Sequence, residues 1–288
     1  MVSVPVVSPH RGHSPRPWLQ PSQASYFLLR PPYERIEHFT RFEPTHATAT
    51  VPGTIAGMRI DRPGSDWSAL ATEIRQLRLR LPQTPVVLVL RLPPSDSLLV
   101  SSIASRMHAR AILQDGEPLG TALRTALTRS EGLPEDVIEW LTFVGVRLSP
   151  STGSLVRSIF TLAESHMDLR SLLKEAGIPE STARFQLNKR LLPSPSRWFQ
   201  LARALHVALR IQAQPDVSLL RIALEQGYSD HSALCHQLRR TFHIRPSALR
   251  RLLGWEWLLG RWLTACANAE PHRSYVTPAI DFQGRGQA

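Results

Sequence analysis

At 288 residues the chain is long enough for two ordinary domains and a sizeable core. Hydrophobic residues make up 42% and no apolar run approaches a membrane span, which speaks for a soluble, cytoplasmic protein with no membrane partner; two cysteines, Cys235 and Cys266, leave no disulfide framework. The formal net charge of +11 points to a polyanionic partner, and residues 157–261 carry 16 Arg and Lys against 8 Asp and Glu, so most of the excess lies in one part of the chain.

Residues 1–50 are rich in Pro, His and Arg with little periodicity, and are expected to form a flexible lead-in. Pro, His and Arg interrupt any apolar stretch near the N-terminus, so no secretory signal is expected. From 51 to 128 strand and helix patterns alternate. "TIAGMRI" predicts a strand, "DWSALATEIRQLRLRL" an amphipathic helix and "PVVLVLRL" a buried strand. "SDSLLVSSIASRM" predicts a helix, "ARAILQ" a strand and "PLGTALRTALT" a helix. This alternation predicts parallel βαβ units in an α/β regulatory module. The helix at 69–81 is suited either to covering the sheet or to pairing two copies in a homodimer.

This segment faintly resembles the second half of a response-regulator receiver. Asp61 follows a strand, as a phospho-acceptor would, and "ILQDGEPLGTAL" matches that fold's last strand and helix. The chemistry is missing. Residues 1–150 contain no Lys, and Gln114 stands where the receiver's Lys is expected. No acidic pair for Mg²⁺ follows an apolar strand in the first fifty residues. A degenerate, unphosphorylated receiver-like module and a plain α/β sensory or dimerisation domain both fit.

Residues 129–166 predict a helical connector, and 167–263 an all-α region of two similar halves. In the first, Asp168 caps a helix bearing Leu169, Leu172, Leu173 and Ala176, and Gly177 ends it. After the Ile178-Pro179 corner, "ESTARFQLNKRL" turns Ala183 and Leu187 inward and leaves Ser181, Thr182, Arg184 and Lys189 outside. In the second half, Ser218 caps a helix bearing Leu219, Ile222 and Ala223, Gly227 ends it and Tyr228 plugs the corner. Ser229 is expected to cap the next helix, with Leu234, Leu238 and Phe242 buried and His231, Ser232, Cys235, His236 and Arg239 opposite. Between the halves "SRWFQLARALHVALRI" predicts a long amphipathic helix, and Trp255, Trp257 and Trp262 a hydrophobic cap on the second unit. Residues 264–288 are expected to be a disordered tail.

Residues 160–255 resemble the AraC/XylS family of transcription regulators. Ile222-Ala223, Gly227-Tyr228, Ser229, Ser232, Leu238, Arg239, Phe242, Pro246 and Arg250 fall where that family's second unit has its motif residues. The resemblance implies two helix-turn-helix units joined by a long helix, set into successive major grooves of double-stranded DNA. It implies base-reading roles for Ser181, Arg184 and Phe185 in the first unit and for His231, Ser232, Cys235 and His236 in the second. Lys189, Arg190, Arg197, Arg239, Arg240 and Arg250 are then the expected phosphate contacts. RNA polymerase is a further candidate partner. The chain departs from the pattern at Leu234 (usually aromatic), His236 (often Arg), His243 (often Gly) and Pro179 (usually a capping Ser), and it has Leu192-Pro193-Ser194-Pro195 where a Gly-containing turn is usual. These departures keep open an adaptor whose helical domain has lost specific DNA binding.

No enzyme signature such as GxSxG, HExxH, a P-loop or a dinucleotide fingerprint occurs, so neither catalysis nor a cofactor is expected. His231, Cys235 and His236 share a helix but offer only three ligands, a poor structural zinc site, so no metal is expected.

Overall fold

A computed structural model describes residues 24–43, 51–60, 67–91, 109–114 and 118–269. Five strands form one sheet in the order β2-β1-β3-β4-β5: β1 (Ala24–Leu29), β2 (Ile36–Phe39), β3 (Ile55–Ile60), β4 (Val86–Leu90) and β5 (Ala111–Gln114). The three strands anticipated from the alternating pattern, β3, β4 and β5, pair in parallel as expected. The other two lie inside the segment taken for a flexible lead-in, and both neighbours of β1 run antiparallel to it. The sheet is therefore mixed, whereas a receiver's is parallel throughout. The pattern missed β1 because Pro31, Pro32 and Glu34 to Glu37 follow "ASYFLL" with loop-like composition and no helix pattern stands between β1 and β2. Asp61 and the helix anticipated over 95–107 lie outside the described residues.

Both faces of the sheet are covered, which explains why β4 is an unbroken apolar run. On one face Leu28, Met58, Val86, Leu88 and Leu90 pack against Ile74 and Leu77 of helix α1 (Trp67–Arg80) and Leu81 just after it. This helix thus covers the sheet. On the other face Phe27, Leu29, Ile55, Val87 and Val89 meet Leu123 and Leu127 of α2 (Leu119–Leu127). Gly57 is required at the sheet's centre, since a Cβ there would lie 2.0 Å from the Phe27 ring across the strand pair.

The helical part runs through α3 (Leu133–Phe143), α4 (Pro150–Leu162), α5 (Leu169–Glu175), α6 (Glu180–Lys189), α7 (Pro195–Ala213), α8 (Leu219–Glu225), α9 (His231–Phe242), α10 (Pro246–Leu249) and α11 (Glu256–Ala269). One core spans it from Leu133 to Cys266. The helices taken for a connector, α3 and α4, therefore belong to this core. Helix α11 also continues past residue 263 into what was expected to be tail; residues 270–288 lie outside the described residues. The long α7 is its axis, buried along most of its length from Trp198 to Gln212. Three tryptophans divide differently from expectation: Trp262 packs on Trp198 of α7 at 4.9 Å, while Trp255 meets Trp140 of α3 edge-on at 6.2 Å, toward the sheet rather than the second unit. The indole Nε1 of Trp257 donates to Leu253 O.

Sheet and helices share a boundary built from both. Leu253, just before α11, is completely buried in the sheet's second core. Tyr33 accepts a hydrogen bond from the Leu253 amide (2.7 Å) and donates one to Gly53 O (2.8 Å). Arg110 at the start of β5 bonds Asp136 of α3 at 2.6 Å and lies 3.3 Å from the buried Glu256 of α11. Arg124 of α2 donates to Gln212 O at the end of α7, and Trp140 Nε1 donates to Pro82 O.

Candidate nucleic-acid interface

Two helix-corner-helix pairs, α5–α6 and α8–α9, pack on α7 and are built alike. Each first helix is capped by a side chain: Asp168 accepts from the Ser171 amide and Ser218 from the Arg221 amide, as expected. Each ends in a glycine with positive φ, Gly177 at +67° and Gly227 at +72°. The same closing bond follows in both, from Ile178 N to Leu173 O and from Tyr228 N to Ala223 O, each 2.9 Å. The buried stripes match the heptad-scale spacing: Leu172, Leu173, Ala183 and Leu187 in the first pair, Ile222, Ala223, Leu234, Leu238 and Phe242 in the second.

The second helices differ in their starts and ends. Helix α6 begins at Pro179 with no side-chain cap. Helix α9 is capped by Asp230, whose carboxylate accepts from the Ala233 amide at 2.8 Å; Ser229, the expected cap, instead donates to Asp230. That amide bond, together with the Ser229 hydroxyl, holds the Asp230 carboxyl below its ordinary range. Helix α9 ends at His243 in a left-handed conformation (φ +52°), and Leu191 after α6 adopts the same (+57°). A backbone geometry that glycine adopts most easily is therefore met here by His243 without one.

What remains outside on α6 and α9 is the candidate interface. Ser181, Arg184, Lys189 and Arg190 are exposed on α6 and its C-terminus, and Phe185 is 66% exposed, an unusual position for an aromatic ring with no packing role. Lys189 Nζ lies 5.9 Å from that ring. Arg184 is paired with Glu180 at 2.6 Å across one turn, so a base contact by Arg184 must displace an exposed ion pair, a small cost. On α9, His231, Ser232, His236, Arg239 and Arg240 are exposed and Cys235 is half-buried; all six line one open groove with Gln200 and Tyr228. Helix α9 contains no acidic residue.

Two of the expected phosphate contacts sit differently. Arg250 turns inward, donating to Pro215 O and Val217 O in the loop joining α7 to α8, and so positions that loop. Arg197 is half-buried in the first turn of α7. Arg203, by contrast, escaped the sequence argument altogether. It bridges Met167 O and Gln226 O and lies 4.9 Å from the Tyr228 ring. Its only signal was a lone guanidinium amid the small and apolar residues of "QLARALHVAL".

Residues 172–252 match the family model of a helix-turn-helix domain. That match begins within α5 and runs past the end of α10. The C-terminal part is a DNA-binding helix-turn-helix domain of the AraC type. No curated protein and no solved structure matches the chain. The exposed faces of α6 and α9 lie opposite the stripes that these helices bury in the shared core. Among the described residues no group of three or more His, Cys, Asp or Glu is arranged to hold a metal ion, and no helix is long and apolar enough to cross a membrane.

Proposed function

We propose that the protein is a sequence-specific, cytoplasmic transcription regulator that sets α6 and α9 into two successive major grooves of double-stranded DNA, about 34 Å apart. The observation that carries this is the repeated build of the two pairs, each offering one exposed basic helix whose opposite stripe is locked into the same core. Arg184 suits a bidentate contact with guanine, Phe185 and Cys235 a thymine methyl, and Ser181, His231, Ser232 and His236 hydrogen bonds at base edges. Lys189, Arg190, Arg239 and Arg240 supply phosphate contacts, which give affinity and its salt dependence. The α/β module, docked on the domain through Arg110, Tyr33 and Leu253, is the regulatory part. Partners of this reading are RNA polymerase and a second copy of the chain, paired through the α/β module; no catalytic step belongs to it.

The test is selection of fragments from genomic DNA by the purified full-length chain at about 0.15 M salt. Enrichment of a motif with two elements about one helical turn apart is expected. Recovery of random fragments by folded protein would overturn the reading.

A further inference from the structure

We infer that Arg203, on the solvent side of α7, is the positioning residue that fixes the separation and orientation of the two recognition helices. This rests on the two-groove reading above and extends it to the spacing of the DNA elements.

The start of the first unit and the corner of the second touch each other directly. Met167 precedes the cap of α5, and its side chain lies across Gly227, where a Cβ would come within 1.9 Å of the Met167 methyl. Glycine at the α8–α9 corner therefore serves the junction as well as the turn. Beneath this contact Arg203 sends one guanidinium nitrogen to Met167 O (3.2 Å) and the other to Gln226 O, the C-cap of α8 (2.9 Å). The same guanidinium lies over Tyr228, which plugs the second corner (4.9 Å), and near Phe199 one turn back on α7 (5.9 Å).

A fork with two rigid donor arms is suited to this task. The two carbonyls it holds belong to different units and are separated by nearly sixty residues of chain, but each lies at the end of a helix that positions a recognition helix. Gln226 O, at the C-terminal end of α8, carries partial negative charge and lacks an intrahelical donor, so a half-buried cation there is favourable, and the second arm satisfies Met167 O in the loop just before the cap of α5. Lysine could satisfy one carbonyl but has no planar fork to fix the angle between both. The neighbouring ties, Gln237 Nε2 to Gln200 O and Arg210 to Glu225, hold only the second unit to α7. Arg203 joins the two.

Two linked reading heads bind a two-element site far more tightly than either alone, provided the link holds them at the right span. A looser link lowers that gain and widens the range of spans accepted. The effect should appear in spacing, and single-element binding should be spared.

The experiment compares full-length wild type with R203A and R203K on a selected two-element fragment, on the same fragment with one or two base pairs inserted between the elements, and on each element alone. Thermal unfolding of each variant is followed in parallel. R203A is expected to lose about tenfold or more on the two-element fragment, to keep its affinity for each single element, and to show a flatter dependence on spacing; R203K should fall in between. Wild-type spacing dependence in both variants would overturn the inference. So would an equal loss on every fragment with a salt slope reduced by about one, which would make Arg203 a phosphate contact. If R203A does not fold, R203K alone decides by the spacing profile. A wild-type chain that binds one element as well as two would instead count against the two-groove reading itself, and the two failures are thereby separate.

Discussion

His243 ends α9 with a φ of +52° and an exposed side chain, so it bears a backbone cost of about 1 kcal/mol with no packing to offset it. H243G is expected to raise the melting temperature by about 2–4 °C, measured by thermal unfolding, with DNA binding unchanged. G227A should do the reverse, since it combines a φ of +72° with a collision at Met167. At the interface the two kinds of contact residue separate by experiment. R184A and H236A should each relax preference at one base position by about 1–3 kcal/mol, whereas K189A and R240A should weaken all sequences alike and reduce the salt slope by about one each. Competition binding against singly substituted sites distinguishes them. At this scale the sequence foresaw which side chains stay exposed where an apolar stripe defined the opposite face. It did not foresee that Arg250 turns toward two backbone carbonyls, because an arginine's reach follows no spacing rule.

Among the elements, the loop between α7 and α8 depends on that arginine. R250A is expected to cost about 2 kcal/mol of stability, by denaturant unfolding, through two carbonyls that lose a charged donor. Its salt slope for DNA should stay that of wild type; a drop of about one would restore the phosphate role. Helix boundaries in the helical part were legible from capping residues and glycines, because each is a local requirement of a helix end. The cap of α9 slipped by one residue, from Ser229 to Asp230, since either type can cap and only the path of the chain out of the Gly227 corner selects between them. The strands β1 and β2 were missed for the opposite reason: β1 is held by β3 farther along the chain, with Phe27 facing Gly57, β2 pairs with β1, and neither carries much periodicity of its own.

For the whole molecule, the informative feature is the charged boundary between sheet and helices. Glu256 is almost wholly buried, and burial pushes its carboxyl above the ordinary glutamate value of 4.5, with Arg110 opposing. Burial raises Asp136 in the same direction, again opposed by Arg110. A carboxyl with a raised pKa in the folded state binds its proton more tightly there than when unfolded. Its contribution to stability is therefore fully present below about pH 4.5 and is lost as pH rises through the folded value. E256Q should flatten this pH dependence, measured by denaturant unfolding between pH 7 and pH 5, while its amide still accepts from the Trp255 N–H. R110A strands both carboxylates and should cost about 3 kcal/mol at pH 7, with the larger part of that loss recovered on acidification.

The amino-acid sequence by itself determined the helix-turn-helix domain: its stripes, caps and corner glycines are local and repeat within about fifty residues, so one chain segment carries its own signal. It also determined the parallel strands β3, β4 and β5, which alternate with helical patterns along the chain. Only the tertiary structure decided that β1 runs antiparallel to both its neighbours, that α3 and α4 join the helical core, and that Leu253 closes the sheet's second face. It alone decided, too, that Arg250 holds a loop and Arg203 ties two units. The physical reason is common to all of these. Each depends on groups distant in sequence meeting across a packed boundary, and a carbonyl or a glycine cleft carries no mark in the sequence of the side chain that will come to fill it.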